Sequence, residues 1–300
     1  MKCSYHPDYR AFLPAGHPFP MGKYPLLKQR LVEEGIVRPQ DLLEPVPLER
    51  PTLALVHTDQ YLDKLESATL SPAEIRRLGI PWSDSLWLRS RLAAAGTLLA
   101  ARHALLEGMA ANLAGGTHHA FADHAEGFCV LNDIAIAIRQ LRQEGALQRA
   151  AVIDLDVHQG NGTASIFEGD PSVFTFSMHG AKNYPANKMR STLDVGLADG
   201  TGDAQYLDTL ESHLPAVLDD FRPDIVFYLA GVDVVAGDRY GKLAMTEQGL
   251  RARDRTVIDA VRSRELPLTI ALGGGYAADT MRTAELHTHV FREAVRQFTK

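Results

Sequence analysis

Cysteine is scarce in this sequence: Cys3 and Cys129 are the only two among 300 residues. A disulfide framework of the kind that holds small secreted domains together is therefore excluded. Residues 1–7 lack the apolar core of a signal peptide, and no run approaches the ~18 apolar residues of a membrane-spanning helix. These absences predict a cytoplasmic protein without a membrane span.

Positive charge is also limited. Lysine and arginine number 31 against 37 aspartates and glutamates, which leaves a net charge of −6. This balance argues against a broad nucleic-acid-binding surface. With 45% hydrophobic and 23% charged residues, the chain can still bury a full core. The composition leaves the oligomeric state open.

Prolines and turn residues dominate the first quarter of the chain, which predicts loops around two short helices at 22–35 and 59–67. From Leu86 onward, apolar runs alternate with helical stretches. Predicted helices cover 86–108, 132–144 (with Asn132 as its cap), 204–219, 247–263 and 281–298. Predicted strands cover 111–114, 150–155, 173–177, 225–230 and 268–272. This alternation predicts a mainly parallel, doubly wound α/β sheet, and no linker divides it, so we expect a single domain over residues 1–300.

The segment 154–158 carries the strongest chemical signal. Asp154, Asp156 and His158 occupy alternate positions where a buried apolar strand meets a glycine-rich loop. In α/β sheets, ligands bind at the carboxyl ends of the strands. The pattern therefore predicts a binding site here; the alternative is a helix cap with surface charges.

Together with one further residue, Asp156 and His158 could form a metal site. Asp233 comes just after the predicted strand 225–230, in a position equivalent to that of Asp156 and His158. Two carboxylates and one imidazole suit zinc with an open coordination position, and the mixed oxygen and nitrogen set also suits Fe²⁺ or Co²⁺. In the alternative interpretation, Asp233 only caps a helix or turn.

Two further features follow predicted strands. The adjacent histidines His118 and His119 can divide labour beside a metal, one neutral as a base and the other stabilising charge. Asp154 is free to fix the tautomer of a histidine. Tyr276, at the end of a triple-glycine loop, can donate a hydrogen bond to a developing oxyanion. The alternatives are ordinary loop histidines and a buried structural tyrosine.

Together these motifs make the sequence similar to the zinc-dependent histone deacetylase family. The matching motifs, in order, are 115–120, 127–134, 154–162, 231–233 with Gly237 and Asp238, and 273–276. The resemblance implies an arginase-like three-layer sandwich with a mainly parallel eight-stranded sheet. It also implies a hydrolase that removes an acyl group from N-acyl-lysine. The His-Gln-Gly-Asn-Gly sequence and the compact length are most similar to class IV and its bacterial relatives.

The resemblance implies a role for each matched residue. The implied zinc ligands are Asp156, His158 and Asp233. The implied catalytic residues are His118, His119, Tyr276, Asp154 and Asn161, with His119 as general base and Asp154 as the partner of His118. The implied walls of the acyl-lysine tunnel are Gly127, Phe128, Tyr184, His179 and Gly274. The implied structural K⁺ site contains Asp154, Asp156, His158, Ser177 and Met178.

The sequence departs from the class I pattern in two places. Asn161 stands where class I members have an aspartate, and an amide without charge should leave His119 less basic. Class IV relatives share this asparagine. The rim aspartate that grips the substrate backbone is replaced near 78–81, which weakens the case for a histone-like peptide clamp. Lys23 lies near a basic residue of the family's internal cavity.

Three alternative functions remain at this level. The acyl group could come from an acetylpolyamine or be a longer fatty acyl group on lysine, and the class IV-like motifs favour the second. A polyamine enzyme should have an acidic entrance, for which Asp84, Asp123 and Glu126 are candidates. The third alternative is a non-catalytic acyl-lysine binding module, against which the intact ligands, histidines and Tyr276 argue.

Overall fold

Eight parallel strands form the centre of the fold in this computed structural model, which describes residues 1–297. The strands are β1 (Lys2–Ser4), β2 (Leu42–Leu43), β3 (Met109–Asn112), β4 (Ala150–Asp154), β5 (Val173–Gly180), β6 (Leu193–Leu197), β7 (Ile225–Leu229) and β8 (Leu268–Ala271). Their order across the sheet is β2-β1-β3-β8-β7-β4-β5-β6, and every neighbouring pair is parallel. The predicted α/β class with a parallel sheet is confirmed.

Ten α-helices lie within the described residues. They are α1 (Lys23–Glu33), α2 (Arg50–Leu53), α3 (Asp59–Glu66), α4 (Pro72–Leu78), α5 (Asp84–Glu107), α6 (Asp133–Gln143), α7 (Asn161–Ile166), α8 (Asp203–Pro215), α9 (Glu247–Arg262) and α10 (Thr280–Arg296). Short 3-10 turns cover Pro7–Tyr9 and Pro39–Asp41, and a π-helical turn at Ala216–Asp220 extends α8. None of these helices is both long and apolar enough to span a membrane.

The central strands are buried on both faces, as their continuous apolar sequences predict. In β4, Ala151 and Ile153 pack into one hydrophobic cluster with residues of α1, α8, α9 and α10. Ala150 and Val152 point the other way, into a second cluster with residues of α5 and α6. Because side chains alternate along a strand, this division places helices on both sides of the sheet and gives the three layers.

Side-chain caps fix where several helices begin. The Asn132 side chain accepts a hydrogen bond from the Ala135 N–H, so the predicted cap of α6 is confirmed. Ser71 and Glu74 form a reciprocal capping box at α4. Such caps satisfy backbone N–H groups that have no partner inside the helix.

Several elements differ from the sequence-based expectations. The strand predicted at 111–114 lies at Met109–Asn112, two residues earlier. The sequence did not predict the short strands β1, β2 and β6 or the short helices α2, α4 and α7, because segments this short carry little periodicity. The last predicted helix, 281–298, is present as Thr280–Arg296, and residue 298 lies outside the described residues.

The parallel arrangement gathers the loops that carry the chemical motifs. The carboxyl ends of β3, β4, β7 and β8 lie side by side at one edge of the sheet. The loops after them contain 115–119, 155–160, 230–238 and 272–279. Since ligands of open α/β sheets bind beyond these strand ends, this edge is the place to look for a site.

Candidate active site

Three buried side chains from two neighbouring loops converge at this edge. One ligand atom from each of Asp156, His158 and Asp233 lies within 4.8 Å of the other two. His158 Nδ1 is 2.9 Å from Asp156 Oδ1 and 3.3 Å from Asp233 Oδ2. The two carboxylates and the imidazole that the sequence suggested as metal ligands thus lie close enough to bind one ion.

The electrostatics of this group fit a bound divalent cation. Asp233 is fully buried, and its Oδ2 has no hydrogen-bond partner among the described residues. Burial, together with the neighbouring Asp156 carboxylate, raises the pKa of Asp233 to about 7. Burial alone would lower the pKa of His158, but the Asp156 and Asp233 carboxylates raise it to about 10. A buried pair of carboxylates is stabilised when a cation is placed between them.

Backbone N–H groups hold both carboxylates in place. The Val157 N–H donates to Asp233 Oδ1 at 2.9 Å, and the Gly274 N–H donates to Asp156 Oδ2 at 2.6 Å. A Cβ atom at Gly274 would lie only 2.0 Å from Asp233 Oδ2. Glycine is therefore required here, because the backbone passes directly against the carboxylates.

The tandem histidines lie beside the metal ligands, with their ring centroids 4.1 Å apart. His118 Nδ1 donates to Asp154 Oδ2 at 2.7 Å. His119 Nδ1 lies 2.6 Å from Asn161 Oδ1. The first histidine is thus paired with a carboxylate and the second with an amide, as the sequence suggested.

Because their hydrogen-bond partners differ, the two histidines favour different protonation states. Burial opposes the charged form of His118, but the carboxylates of Asp154 and Asp156 outweigh it and raise the pKa of His118 to about 9. Burial lowers the pKa of His119 well below its usual value, and the charges of His118 and His158 lower it further. The arrangement therefore favours a cationic His118 beside a neutral His119.

A tunnel leads from the surface to this group. It is a cavity of about 260 Å³ lined by Arg77, Leu78, Gly79, His119, Gly127, Phe128, His158, Tyr184, Tyr240 and Tyr276. Beyond it lies an inner cavity of about 30 Å³, lined by residues that include Phe19, Tyr24, Arg89, His118, Asp156 and Gly274. His119, His158 and Tyr276 border both cavities, so the polar groups lie where the two meet.

Aromatic rings form the tunnel walls. Phe128 lies on one side, and the Tyr184 ring stands nearly perpendicular to His119 at a centroid distance of 5.0 Å. Gly127 brings its backbone against His119, and a Cβ atom there would lie 2.6 Å from the imidazole. The positive φ of Gly127, 53°, also favours glycine.

Tyr276 lies opposite the histidines and is only 9% exposed. Its ring centroid is 6.4 Å from that of His158 and 5.0 Å from that of Tyr240. Its backbone N–H donates to Asp238 Oδ2 at 2.6 Å. Tyr276 lines both cavities, so its side chain lies where they meet.

Two predicted tunnel residues lie elsewhere. His179 is buried in β5, does not line either cavity, and has its Nδ1 3.0 Å from Ser177 Oγ. Gly274 lines the inner cavity and not the tunnel. The residues predicted for K⁺ lie on two paired strands and the following loop, with Asp154 opposite Ser177 in the register of β4 and β5. The K⁺ site remains a prediction.

Sequence reasoning did not anticipate three residues around the tunnel. Arg77 and Tyr240 line it. Glu126, considered before only as an entrance acid, accepts hydrogen bonds from Asn161 Nδ2 and from the Tyr184 hydroxyl. The sequence signal that could have indicated Glu126 is its position directly before the Gly127-Phe128 motif. The candidate entrance acids Asp84 and Asp123 do not line the tunnel.

Comparison with known proteins agrees with this geometry. Residues 17–293 match the profile of the histone deacetylase domain. An uncharacterized protein of Picosynechococcus sp. is 47% identical over 290 residues, with 97% of each chain covered. Histone deacetylase 2 of Arabidopsis thaliana is 30% identical, with 89% of this chain and 71% of the relative covered. A probable deacetylase of Methanothermobacter thermautotrophicus is 31% identical, with 85% and 76% covered.

The fold also matches a solved structure. The crystal structure of the HDA15 HD domain superposes with a TM-score of 0.81 at 23% sequence identity. The match covers all of this chain and 89% of that one. It shows that the two chains share the same architecture of sheet and helices.

Proposed function

The chain belongs to the histone deacetylase family and is therefore a hydrolase that acts on amide bonds, and we propose that its substrate is an N-acyl-lysine carrying a short acyl group. One observation carries the proposal. His119, His158 and Tyr276 lie where a tunnel with the aromatic rings of Phe128 and Tyr184 in its walls meets the inner cavity. Such a tunnel suits the apolar stem of a lysine and presents its amide to the polar groups.

Asp156, His158 and Asp233 would hold a divalent metal, for which zinc is the proposed ion. When bound, the metal supplies a Lewis acid that polarises the acyl carbonyl and makes a water molecule more acidic. The carboxylate-rich, closely packed donor set and the unpartnered Asp233 Oδ2 support this assignment.

The chain's own residues carry the proton transfers. His119 donates a hydrogen bond from its Nδ1–H to Asn161 Oδ1, so its Nε2 is free to accept a proton from the attacking water. His118, held in its charged form by Asp154, stabilises negative charge as it develops. The Tyr276 hydroxyl donates a hydrogen bond to the oxyanion of the tetrahedral intermediate. The proton on His119 then passes to the leaving lysine amine as the C–N bond breaks.

The inner cavity indicates the length of the acyl group. With the lysine stem in the tunnel, the acyl chain beyond the carbonyl must enter the inner cavity. That cavity has a volume of only about 30 Å³ and is bordered by Phe19, Tyr24 and the buried Arg89. A space of this size suits the methyl of an acetyl group better than an octanoyl or myristoyl chain. The proposal therefore favours acetyl over the fatty acyl groups suggested by the class IV-like motifs.

The tunnel rim separates lysine substrates from polyamines. An acetylpolyamine carries further positive charges, which need an acidic entrance. The described residues that line the tunnel include Arg77 but no aspartate or glutamate, and Glu126 is engaged behind the wall by Asn161 and Tyr184. The tunnel thus offers no free acidic group to the additional positive charges of a polyamine, which supports a lysine side chain.

A hydrolysis panel tests the proposal. Zinc-loaded protein is given one lysine peptide in acetyl, octanoyl and myristoyl forms, and separately an acetylpolyamine. Turnover that is fastest on the acetyl peptide is expected. Turnover on the acetylpolyamine alone would replace the proposed substrate, and peptide binding without turnover on any substrate would support a binding module.

A further inference from the structure

Glu126 lies behind the tunnel wall, at the end of a chain of hydrogen bonds that begins at His119. His119 Nδ1 is 2.6 Å from Asn161 Oδ1, and Asn161 Nδ2 is 2.7 Å from Glu126 Oε1. The side chain of Glu126 is largely buried but does not line the tunnel or the inner cavity. It therefore reaches the site only through its neighbours.

The Asn161 amide has an oxygen that accepts hydrogen bonds and an NH₂ group that donates them. Its orientation therefore decides which nitrogen of His119 carries the proton. If Asn161 presents its oxygen, His119 Nδ1 must carry the proton and Nε2 is free to act as a base. If the amide is turned over, its NH₂ group faces His119 instead and stabilises the other tautomer, in which Nε2 is already protonated. An asparagine alone does not distinguish these two orientations.

An ionised Glu126 removes the ambiguity. A carboxylate only accepts hydrogen bonds, so it requires the NH₂ group of Asn161 on its own side and leaves the amide oxygen facing His119. Burial opposes ionisation of Glu126, but hydrogen bonds from His124, Tyr184 and Asn161 outweigh it and lower its pKa. Glu126 also accepts a hydrogen bond from the Tyr184 hydroxyl at 2.6 Å, which fixes the tunnel wall.

We propose that Glu126 is a positioning residue that orients the Asn161 amide and thereby selects the catalytic tautomer of His119. This inference rests on the proposed function only for its kinetic consequences. It gives a physical reason why an asparagine can serve where an aspartate would be expected. An aspartate at position 161 would need no such partner, because either of its carboxylate oxygens can accept the hydrogen bond from His119.

The kinetic test compares four variants on the acetyl-lysine peptide. Glu126→Ala should lower kcat by about tenfold to hundredfold, less than the ~10⁴ that a wrong histidine tautomer costs in serine proteases, because Asn161 can still turn. Glu126→Gln keeps the shape and should lie between Glu126→Ala and the native protein. Tyr184→Phe removes the other hydrogen bond to Glu126 and should change KM more than kcat. Asp208→Asn, which changes an exposed carboxylate of α8, should leave both constants unchanged.

The decisive comparison uses an aspartate at position 161. In the Asn161→Asp background the carboxylate accepts from His119 in either orientation and lies against the Glu126 carboxylate, which it repels. Glu126→Ala should therefore not lower kcat in that background, in contrast to its effect in the native protein. An equal loss of kcat in both backgrounds would overturn the proposal, since Glu126 would then act elsewhere. A loss in KM alone, matching that of Tyr184→Phe, would also overturn it and leave Glu126 as a wall support.

A spectroscopic readout is independent of turnover. The ¹⁵N shifts of His119 in histidine-labelled protein, assigned with His119→Gln, distinguish the two neutral tautomers. The native protein should show a single Nδ1–H form, and Glu126→Ala should show the Nε2–H form or a mixture. An unchanged Nδ1–H signal in Glu126→Ala would contradict the inference, whatever the activity. If the signal changed as expected but the protein hydrolysed none of the substrates tested, the proposed function alone would have failed.

Discussion

The imidazole rings of His118 and His119 lie 4.1 Å apart, yet the first is hydrogen-bonded to a carboxylate and the second to an amide. The carboxylate of Asp154 keeps His118 charged, and that charge in turn favours a neutral His119. Two identical side chains therefore acquire different roles from their surroundings alone. The predictions below follow from this division and from the cavities around it.

Tyr276→Phe should abolish most of the activity. The phenol is the group placed to donate to the oxyanion, and loss of one such donor costs about 10²–10³ in kcat. KM should change by much less, because the ring still lines the tunnel. Steady-state kinetics on the acetyl-lysine peptide measure both constants. Full activity in this variant would remove Tyr276 from the mechanism.

Asp233→Ala should lose the metal. Asp233 is a buried carboxylate whose Oδ2 has no hydrogen-bond partner among the described residues and would bind the ion we propose. The zinc content of purified protein, measured by elemental analysis, should fall from one equivalent to near zero. Asp123→Asn, an exposed carboxylate away from the site, serves as the control and should retain its zinc. A fully zinc-loaded Asp233→Ala protein would show that the ion binds elsewhere.

Phe19→Ala should relax the acyl-length preference. Phe19 borders the inner cavity, and its ring packs 5.4 Å from that of Phe128. Removing it opens space for further methylenes, each worth about 1–3 kcal/mol in a matched pocket, so the octanoyl-to-acetyl ratio of kcat/KM should rise by about tenfold or more. Phe12→Ala, which truncates a ring that is 79% exposed, should leave the ratio unchanged. An unaltered ratio in both variants would mean that the acyl chain does not enter this cavity.

His57 should make stability depend on pH. It is buried, and its Nε2 accepts the N–H of Asn132 at 3.1 Å. Burial lowers the pKa of His57 from 6.5 to about 4. Between these values the unfolded chain binds more protons than the folded one, so the stabilisation present above pH 6.5 is lost as the pH falls towards 4.

The variant His57→Gln isolates this contribution, because glutamine can accept the same hydrogen bond without titrating. The native protein should lose about 3 kcal/mol more unfolding free energy than the variant between pH 7 and pH 4. Urea unfolding at several pH values, on metal-free samples of both proteins, provides the comparison. Parallel pH dependences for the two proteins would rule out His57 as the source.

Much of the fold could be predicted because its central strands are long and apolar. The runs that form β4, β7 and β8 stand out in the sequence, and the motifs after them indicate a common edge. In contrast, β2 has two residues and β6 alternates between exposed and partly buried positions at the sheet edge. Such segments pair only because the rest of the sheet is already present, so their own sequences carry little signal.

In the candidate site, too, some residues can be predicted from the sequence and others only from the structure. Asp156 and His158 are two residues apart in the loop that follows β4, so their closeness in the sequence suffices to place them together. Glu126 and Asn161 are 35 residues apart, and their hydrogen bond depends on how two loops pack. His179 illustrates the converse, since it follows the strand predicted at 173–177 but lies inside the longer β5 and outside both cavities. Sequence patterns find residues that share an element, whereas contacts between loops require the structure.

The most direct test of the proposed function is the release of acetate from an acetyl-lysine peptide by zinc-loaded protein. The account predicts one acetate for each free lysine, turnover that stops when the metal is removed and returns with zinc, and no turnover by Asp233→Ala. A zinc-loaded protein that binds the peptide but releases no acetate would contradict it.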